Sequence, residues 1–222
     1  MGTTIKLAAH DGEAFDVYVE ESPGAKAAVI VLQEWWGLND QIKSVCGRLA
    51  DAGFTSAAPD LYRGRVALDE AEAEHLSDGL DWDRACNEQI AATVAYLAQR
   101  HDRSAVIGFC MGGALAVLAG LRLKEVDAVV AFYGLPPVES FKGQDVTAAF
   151  QGHFALHDEW ITPDAVSVFV KEMASSVDAG EIYFYDAHHA FANEQGKAYS
   201  RKDADLAWSR TLAFLERLKK AR

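Results

Sequence analysis

The segment of this sequence best suited to chemistry is Gly108-Phe109-Cys110-Met111-Gly112. An apolar run, Ala105-Val106-Ile107-Gly108, leads into it and an Ala/Leu-rich stretch follows, so a buried strand should turn directly into a helix. The pattern is that of a Gly-x-Ser-x-Gly nucleophile elbow with cysteine in place of serine. Gly108 and Gly112 would let strand and helix approach closely around a strained turn, leaving the thiol raised above the sheet. The free N–H groups and positive end of the new helix are expected to lower the thiol pKa. The plainer alternative is a glycine-lined turn holding an inert buried cysteine. A phosphate loop fits poorly, because neither G-x-G-x-x-G nor G-x-x-x-x-G-K-[ST] is present.

A thiol nucleophile needs a base, and the base needs an orienting acid. On this kind of elbow they follow the nucleophile in the order acid, then histidine. Two downstream loops carry that chemistry at the ends of expected strands. One spans 155–163, with Asp158 directly after its strand, and the other spans 185–193, with Asp186, His188 and His189. Any one of these residues alone reads most simply as a solvated loop side chain; the required order at successive strand ends argues for a triad. His153 and His157 are four apart on or beside a strand, a span of about 13 Å, so they cannot meet at one ion and no metal is expected. His10, His75 and His101 read as surface residues. Cys46 and Cys86 fall within helical patterns as ordinary buried or half-buried side chains. With no C-x-x-C and no visibly placed resolving thiol, a redox role for Cys110 is the weaker rival. A non-catalytic binder on the same scaffold is a second rival, which leaves the intact triad positions unexplained.

The elements that must position these residues follow from apolar periodicity. Residues 5–7 and 15–19 alternate around Asp11-Gly12 as a hairpin-like pair. Continuous apolar runs at 27–32, 54–58, 105–108, 128–132, 150–156 and 182–185 suit strands, most of them buried on both faces. Helical patterns occupy 85–98, 111–121, 164–176 and 203–218, the last with Trp208, Thr211, Leu215 and Leu218 on one face. Another helix is capped by Asn39, shares Ile42, Val45 and Leu49 on one side and ends at Gly53. Alternating strands and helices predict an α/β fold with a mainly parallel sheet covered on both faces, as one domain over residues 1–222. The acidic, alanine-rich segment 63–83 should lie over the carboxyl ends of the strands, where open α/β sheets bind ligands.

Composition narrows the partners. The 222 residues include 21 basic and 33 acidic side chains, a formal charge of −12, and no basic stripe forms, so neither nucleic acid nor an anionic membrane is an expected partner. No apolar run approaches the roughly 18 residues of a membrane span. The first residues do not read as a secretory signal, and three scattered cysteines do not make a disulfide framework. A reducing cytoplasm is the expected location, and the oligomeric state stays open between monomer and homodimer.

Over nearly its whole length the sequence resembles the dienelactone hydrolase family of α/β hydrolases. The carriers are Leu32-Gln33-Glu34-Trp35-Trp36-Gly37-Leu38-Asn39, Ala58-Pro59-Asp60-Leu61-Tyr62, Gly108-Phe109-Cys110-Met111-Gly112-Gly113, Phe132-Tyr133-Gly134, His157-Asp158 and His189-Ala190-Phe191. The resemblance implies the α/β-hydrolase fold and a triad of Cys110, Asp158 and His189. His189 is preferred to His188 because Ala190-Phe191 follows it, although His188 stands where the family usually has glycine. The resemblance also implies an oxyanion hole from the backbone N–H groups of Trp35 and Met111, and a role for Glu34 in activating the thiol. Trp36, Tyr133, Phe191 and Asn193 are the expected substrate-pocket residues. The implied reaction is hydrolysis of a small-molecule lactone or activated ester through an acyl-cysteine, without cofactor. Family members that act on carboxylated substrates hold the anion with arginines. Here Asn193 stands at one such place and the segment 67–74 is acidic, so uncharged substrates should be favoured unless Arg63, Arg65 or Arg84 reaches in.

Overall fold

The apolar runs become the centre of one eight-stranded sheet in the computed structural model, which describes residues 2–9, 11–144, 147–173 and 180–220. The strands are β1 (Thr3–Ala8), β2 (Ala14–Glu20), β3 (Ala27–Leu32), β4 (Thr55–Pro59), β5 (Arg103–Phe109), β6 (Ala128–Phe132), β7 (Ala149–Ala155) and β8 (Glu181–Tyr185). Their spatial order is β1-β2-β4-β3-β5-β6-β7-β8. β1 and β2 form an antiparallel hairpin that joins β4 antiparallel, and every other pairing is parallel. All six residues of β3 are buried, as a strand covered on both faces requires.

Alternate residues of the central strands point to opposite layers. Ala28, Ile30, Leu32, Val106 and Val129 pack beneath helices α4 (Ala91–Ala98), α5 (Met111–Arg122) and α6 (Pro163–Met173). Val29, Val31, Ala105, Ile107 and Val130 pack against α1 (Asp40–Asp51) and α7 (Arg201–Leu215). Each buried Val, Ile or Leu contributes on the order of 2 kcal/mol from removal of its apolar surface. The Asn39 side chain caps α1 by accepting from the Ile42 N–H, and Gly53 follows its end at φ 84°.

Two expectations are corrected, and a third is met as far as the described residues reach. Residues 85–98 are not one α-helix: α3 (Trp82–Arg84) leads into a π-helical turn, Ala85–Ile90, and only then into α4. The wider turn places Ala85, Cys86, Gln89 and Ile90 inward together. His101, expected on the surface, is half-buried with Nδ1 3.1 Å from the Ala25 carbonyl oxygen. The helix expected over 164–176 runs as α6 to Met173, and its remaining residues, like His10, lie outside the described ones. No helix among the described residues is long and apolar enough to cross a membrane.

The chain leaves β3 for β4 on one side and returns to β5 on the other. Ligand crevices in open α/β sheets form outside the carboxyl ends of strands at such a reversal. The loop after β3 carries Glu34 and Trp35, and the turn after β5 carries Cys110. The segment 63–83, with α2 (Glu70–Asp78), reaches this end of the sheet, where Ser77 Oγ lies 3.7 Å from Met111 Sδ.

Candidate active site

Cys110 sits between β5 and α5 with φ 53° and ψ −118°, a conformation costly for a residue with a side chain. The surroundings over-determine it. The Cys110 N–H donates to the Phe132 carbonyl at 3.0 Å, and its own carbonyl accepts from Gly113 and Ala114 at 2.9 and 3.2 Å. A Cβ on Gly108 would overlap the Gly112 carbonyl, and one on Gly112 would meet the carbonyls of Leu32 and Gln33 at 2.5 Å. Both elbow glycines therefore exist for close approach of strand and helix.

The loop after β7 carries Asp158 inward. One of its carboxylate oxygens accepts from the N–H groups of Trp160 and Ile161, both at 2.9 Å. The other is 2.7 Å from His189 Nδ1, and the aspartate is buried. Burial alone would raise the Asp158 pKa, but the imidazole and the two backbone donors outweigh it and hold the carboxyl below its ordinary value. His189 follows β8, and Ala190 at φ 61° turns the chain directly after it. The ring lies against Tyr133 and Trp160, with centroid separations of 5.1 and 4.7 Å. Its Nε2 is buried without a hydrogen-bond partner among the described residues. His188 points away, exposed beside His157.

Glu34 is buried at the edge of the same space. Its two oxygens accept from Tyr133 O–H at 2.9 Å and Asn193 Nδ2–H at 2.6 Å. Burial raises its pKa, opposed by those two donors and by His189. The thiol departs from expectation. Burial pushes Cys110 up to about 12, with Glu34 and Asp158 adding to the rise, and the Met111 N–H lowers it too little to compensate. The helix N-terminus is present, but enclosure and two neighbouring carboxyls overrule it, so the resting thiol is protonated at neutral pH.

A cleft of about 340 Å³ opens over these groups, lined by Trp35, Glu74, Ser77, Asp78, Trp82, Cys110, Met111, Ala114, Tyr133, Gly134, Leu135, Trp160, Ile161 and His189. Of the expected pocket residues it contains Tyr133 alone. Trp36 is half-buried, packed edge-to-face on Trp35, with its carbonyl bonded to the Ala67 N–H. Phe191 is fully buried under Tyr133 and Tyr185. Asn193 is buried behind Glu34 rather than facing substrate. Trp160 and Trp82 were not singled out from the sequence. Trp160 stands in the 155–163 loop and Trp82 in the acidic 63–83 segment, so position relative to the motifs is the signal the sequence offers.

Arg63, Arg65 and Arg84 do not line the cleft. They surround a separate cavity of about 300 Å³ with His75, and they pair with Glu13, Glu72, and Asp11 with Glu13, respectively. His153 is buried, its Nδ1 2.7 Å from Tyr185 Oη and its Nε2 2.9 Å from Gln151 Oε1, and His157 is exposed beside Asp186. The two rings do not converge. Cys46 and Cys86 are buried free thiols, pushed up by burial to about 12 and about 11.

Among known proteins, the chain matches the dienelactone hydrolase family over residues 15–219. It is 31% identical over 212 residues to the "Putative carboxymethylenebutenolidase" of Aquifex aeolicus (strain VF5), covering 90% of this chain and 91% of that one. It is 32% identical over 209 residues to the "Probable 2-oxo-3-(5-oxofuran-2-ylidene)propanoate lactonase" of Bradyrhizobium sp, covering 86% and 84%. The crystal structure of a dienelactone hydrolase-like promiscuous phosphotriesterase from metagenomic libraries superposes with a TM-score of 0.82 at 22% identity, covering 98% of each chain, a likeness of fold.

Proposed function

Because the chain belongs to the dienelactone hydrolase family, we propose that it hydrolyses a lactone or activated carboxylic ester through an acyl-cysteine on Cys110. The observation that carries this reading is the convergence on one cleft of a thiol at a strained elbow and an imidazole whose Nδ1 is held by Asp158 and whose Nε2 is unpartnered.

In the proposed reaction the thiol proton passes to Glu34, a buried carboxyl whose raised pKa suits it to accept one. The sulfur attacks the carbonyl carbon, and the oxygen that becomes negative is held by the N–H groups of Trp35 and Met111. Collapse breaks the C–O bond and leaves a thioester; the departing enolate or phenolate takes a proton from solvent. His189, kept in one tautomer by Asp158, removes a proton from water as its oxygen attacks the thioester. The C–S bond breaks, the thiolate recovers the proton from Glu34, and His189 returns its own to solvent. Sulfur at this position favours substrates whose leaving oxygen is stabilised. A thiolate otherwise departs more readily than an alkoxide, and the tetrahedral adduct reverts. A reducing compartment such as the cytoplasm suits a free thiol in this role.

Cys110→Ala is expected to lower kcat/KM for p-nitrophenyl acetate by about 10⁴ or more while the protein stays folded. His189→Ala should cost a comparable factor and the exposed His188→Ala far less. A Cys110→Ala protein retaining about a tenth of the activity, or the opposite ranking of the histidines, would sink the assignment.

A further inference from the structure

The cleft over Cys110 has an unusual pairing of surfaces. Aromatic rings of Trp35, Trp82, Trp160 and Tyr133 form its walls, and the carboxylates Glu74 and Asp78 face it from α2. The two acids are four residues apart and so share one helix face. No lysine or arginine lines the cleft among the described residues. Neither Glu74 nor Asp78 has a basic partner among them, since Arg65 is drawn to Glu72 and Arg63 and Arg84 to Glu13, around the separate cavity.

Ring faces attract cations, quaternary ammonium groups above all, because little hydration is lost when such a group meets an aromatic wall. Unpaired carboxylates at the edge add attraction, and a net charge of −12 draws cations towards the molecule. The same features work against an anion, which would meet two like charges and no counter-ion. We propose that the cleft selects esters or lactones bearing a quaternary or protonated ammonium group, with the cation among the aromatic rings beside Glu74 and Asp78 and the carbonyl over Cys110. This rests on the hydrolase reading above and adds to it the charge of the substrate.

Three p-nitrophenyl esters of matched length provide the test: the 4-(trimethylammonio)butanoate, its uncharged carbon isostere 5,5-dimethylhexanoate, and the half-ester of glutaric acid. At low ionic strength kcat/KM should fall from cation to neutral to anion by about tenfold per step, and the differences should shrink with added salt. In Glu74→Gln/Asp78→Asn the ratio of cation to anion should drop by about tenfold or more. A cation-to-neutral ratio of one or below, or a preference that the double variant keeps in full, overturns the proposal. Binding is read separately, from quenching of tryptophan fluorescence by phenyltrimethylammonium, which should weaken about tenfold in the double variant. If that cation binds with the expected carboxylate dependence while no ester is turned over, the hydrolase reading fails and the cation site stands. If the esters are turned over through Cys110 with no preference for the cation, the cation site fails and the hydrolase reading stands.

Discussion

Glu34 is enclosed, yet each carboxyl oxygen has one donor, Tyr133 Oη on one side and Asn193 Nδ2 on the other. Burial still raises its pKa above 4.5. A carboxyl raised in the fold binds its proton more tightly folded than unfolded, so its contribution to stability falls as pH rises through the interval above 4.5. Glu34→Gln keeps the shape and removes the charge. It should therefore melt higher than wild type at about pH 7–8, with the gain shrinking as pH falls towards about 4.5, and should lose turnover. A lower melting temperature at about pH 7–8 would mean that the two donors more than compensate for burial. The direction of the Asn193 side chain was not legible in the sequence. Its place after Phe191-Ala192 suggested a pocket residue, but the reversal at Ala190, φ 61°, turns it inward onto Glu34. The thiol pKa departs from the sequence expectation for a related reason: the helix start is local and visible in sequence, whereas the burial and the carboxyls that overrule it come from distant loops.

At the scale of elements, apolar runs bounded by caps and glycines located the strands well. A strand buried on both faces must be apolar throughout, and the surrounding helices carry one-sided patterns. The π-helical turn Ala85–Ile90 left no such mark, since its apolar residues fit an ordinary helix equally well. The elbow is where element geometry is least forgiving. β5 and α5 meet with Gly108 against the Gly112 carbonyl, and that atom is backbone, which cannot rotate away. Gly108→Ala should destabilise the protein by about 3 kcal/mol or more in urea unfolding, or prevent folding. A loss below about 1 kcal/mol would show that strand and helix can part without cost.

Across the whole molecule, the sheet brings the segments that follow five strands, β3, β5, β6, β7 and β8, to one end. His153 ties β7 to β8 through Tyr185 and to α7 through Thr211, and burial, aided by Arg210, lowers its pKa to about 3. An unfolded histidine takes up a proton near pH 6.5, but the folded one resists until about pH 3, so stability falls as pH drops across that interval. The unfolding free energy should decline by up to about 2 kcal/mol between about pH 6.5 and 5. His153→Gln should flatten that slope; an unchanged slope would assign the acid sensitivity elsewhere. The sequence places His153 on its strand, yet two of its partners, Tyr185 and Thr211, lie 32 and 58 residues away, beyond any local pattern. The account as a whole stands on one covalent species. The most direct measurement is mass spectrometry of protein quenched with acid during turnover of p-nitrophenyl acetate, followed by peptide mapping. The account predicts one acetyl group, carried by the peptide that contains Cys110 and absent from Cys110→Ala. Steady turnover with no acetylated peptide, or with the acetyl group on another residue, would contradict it.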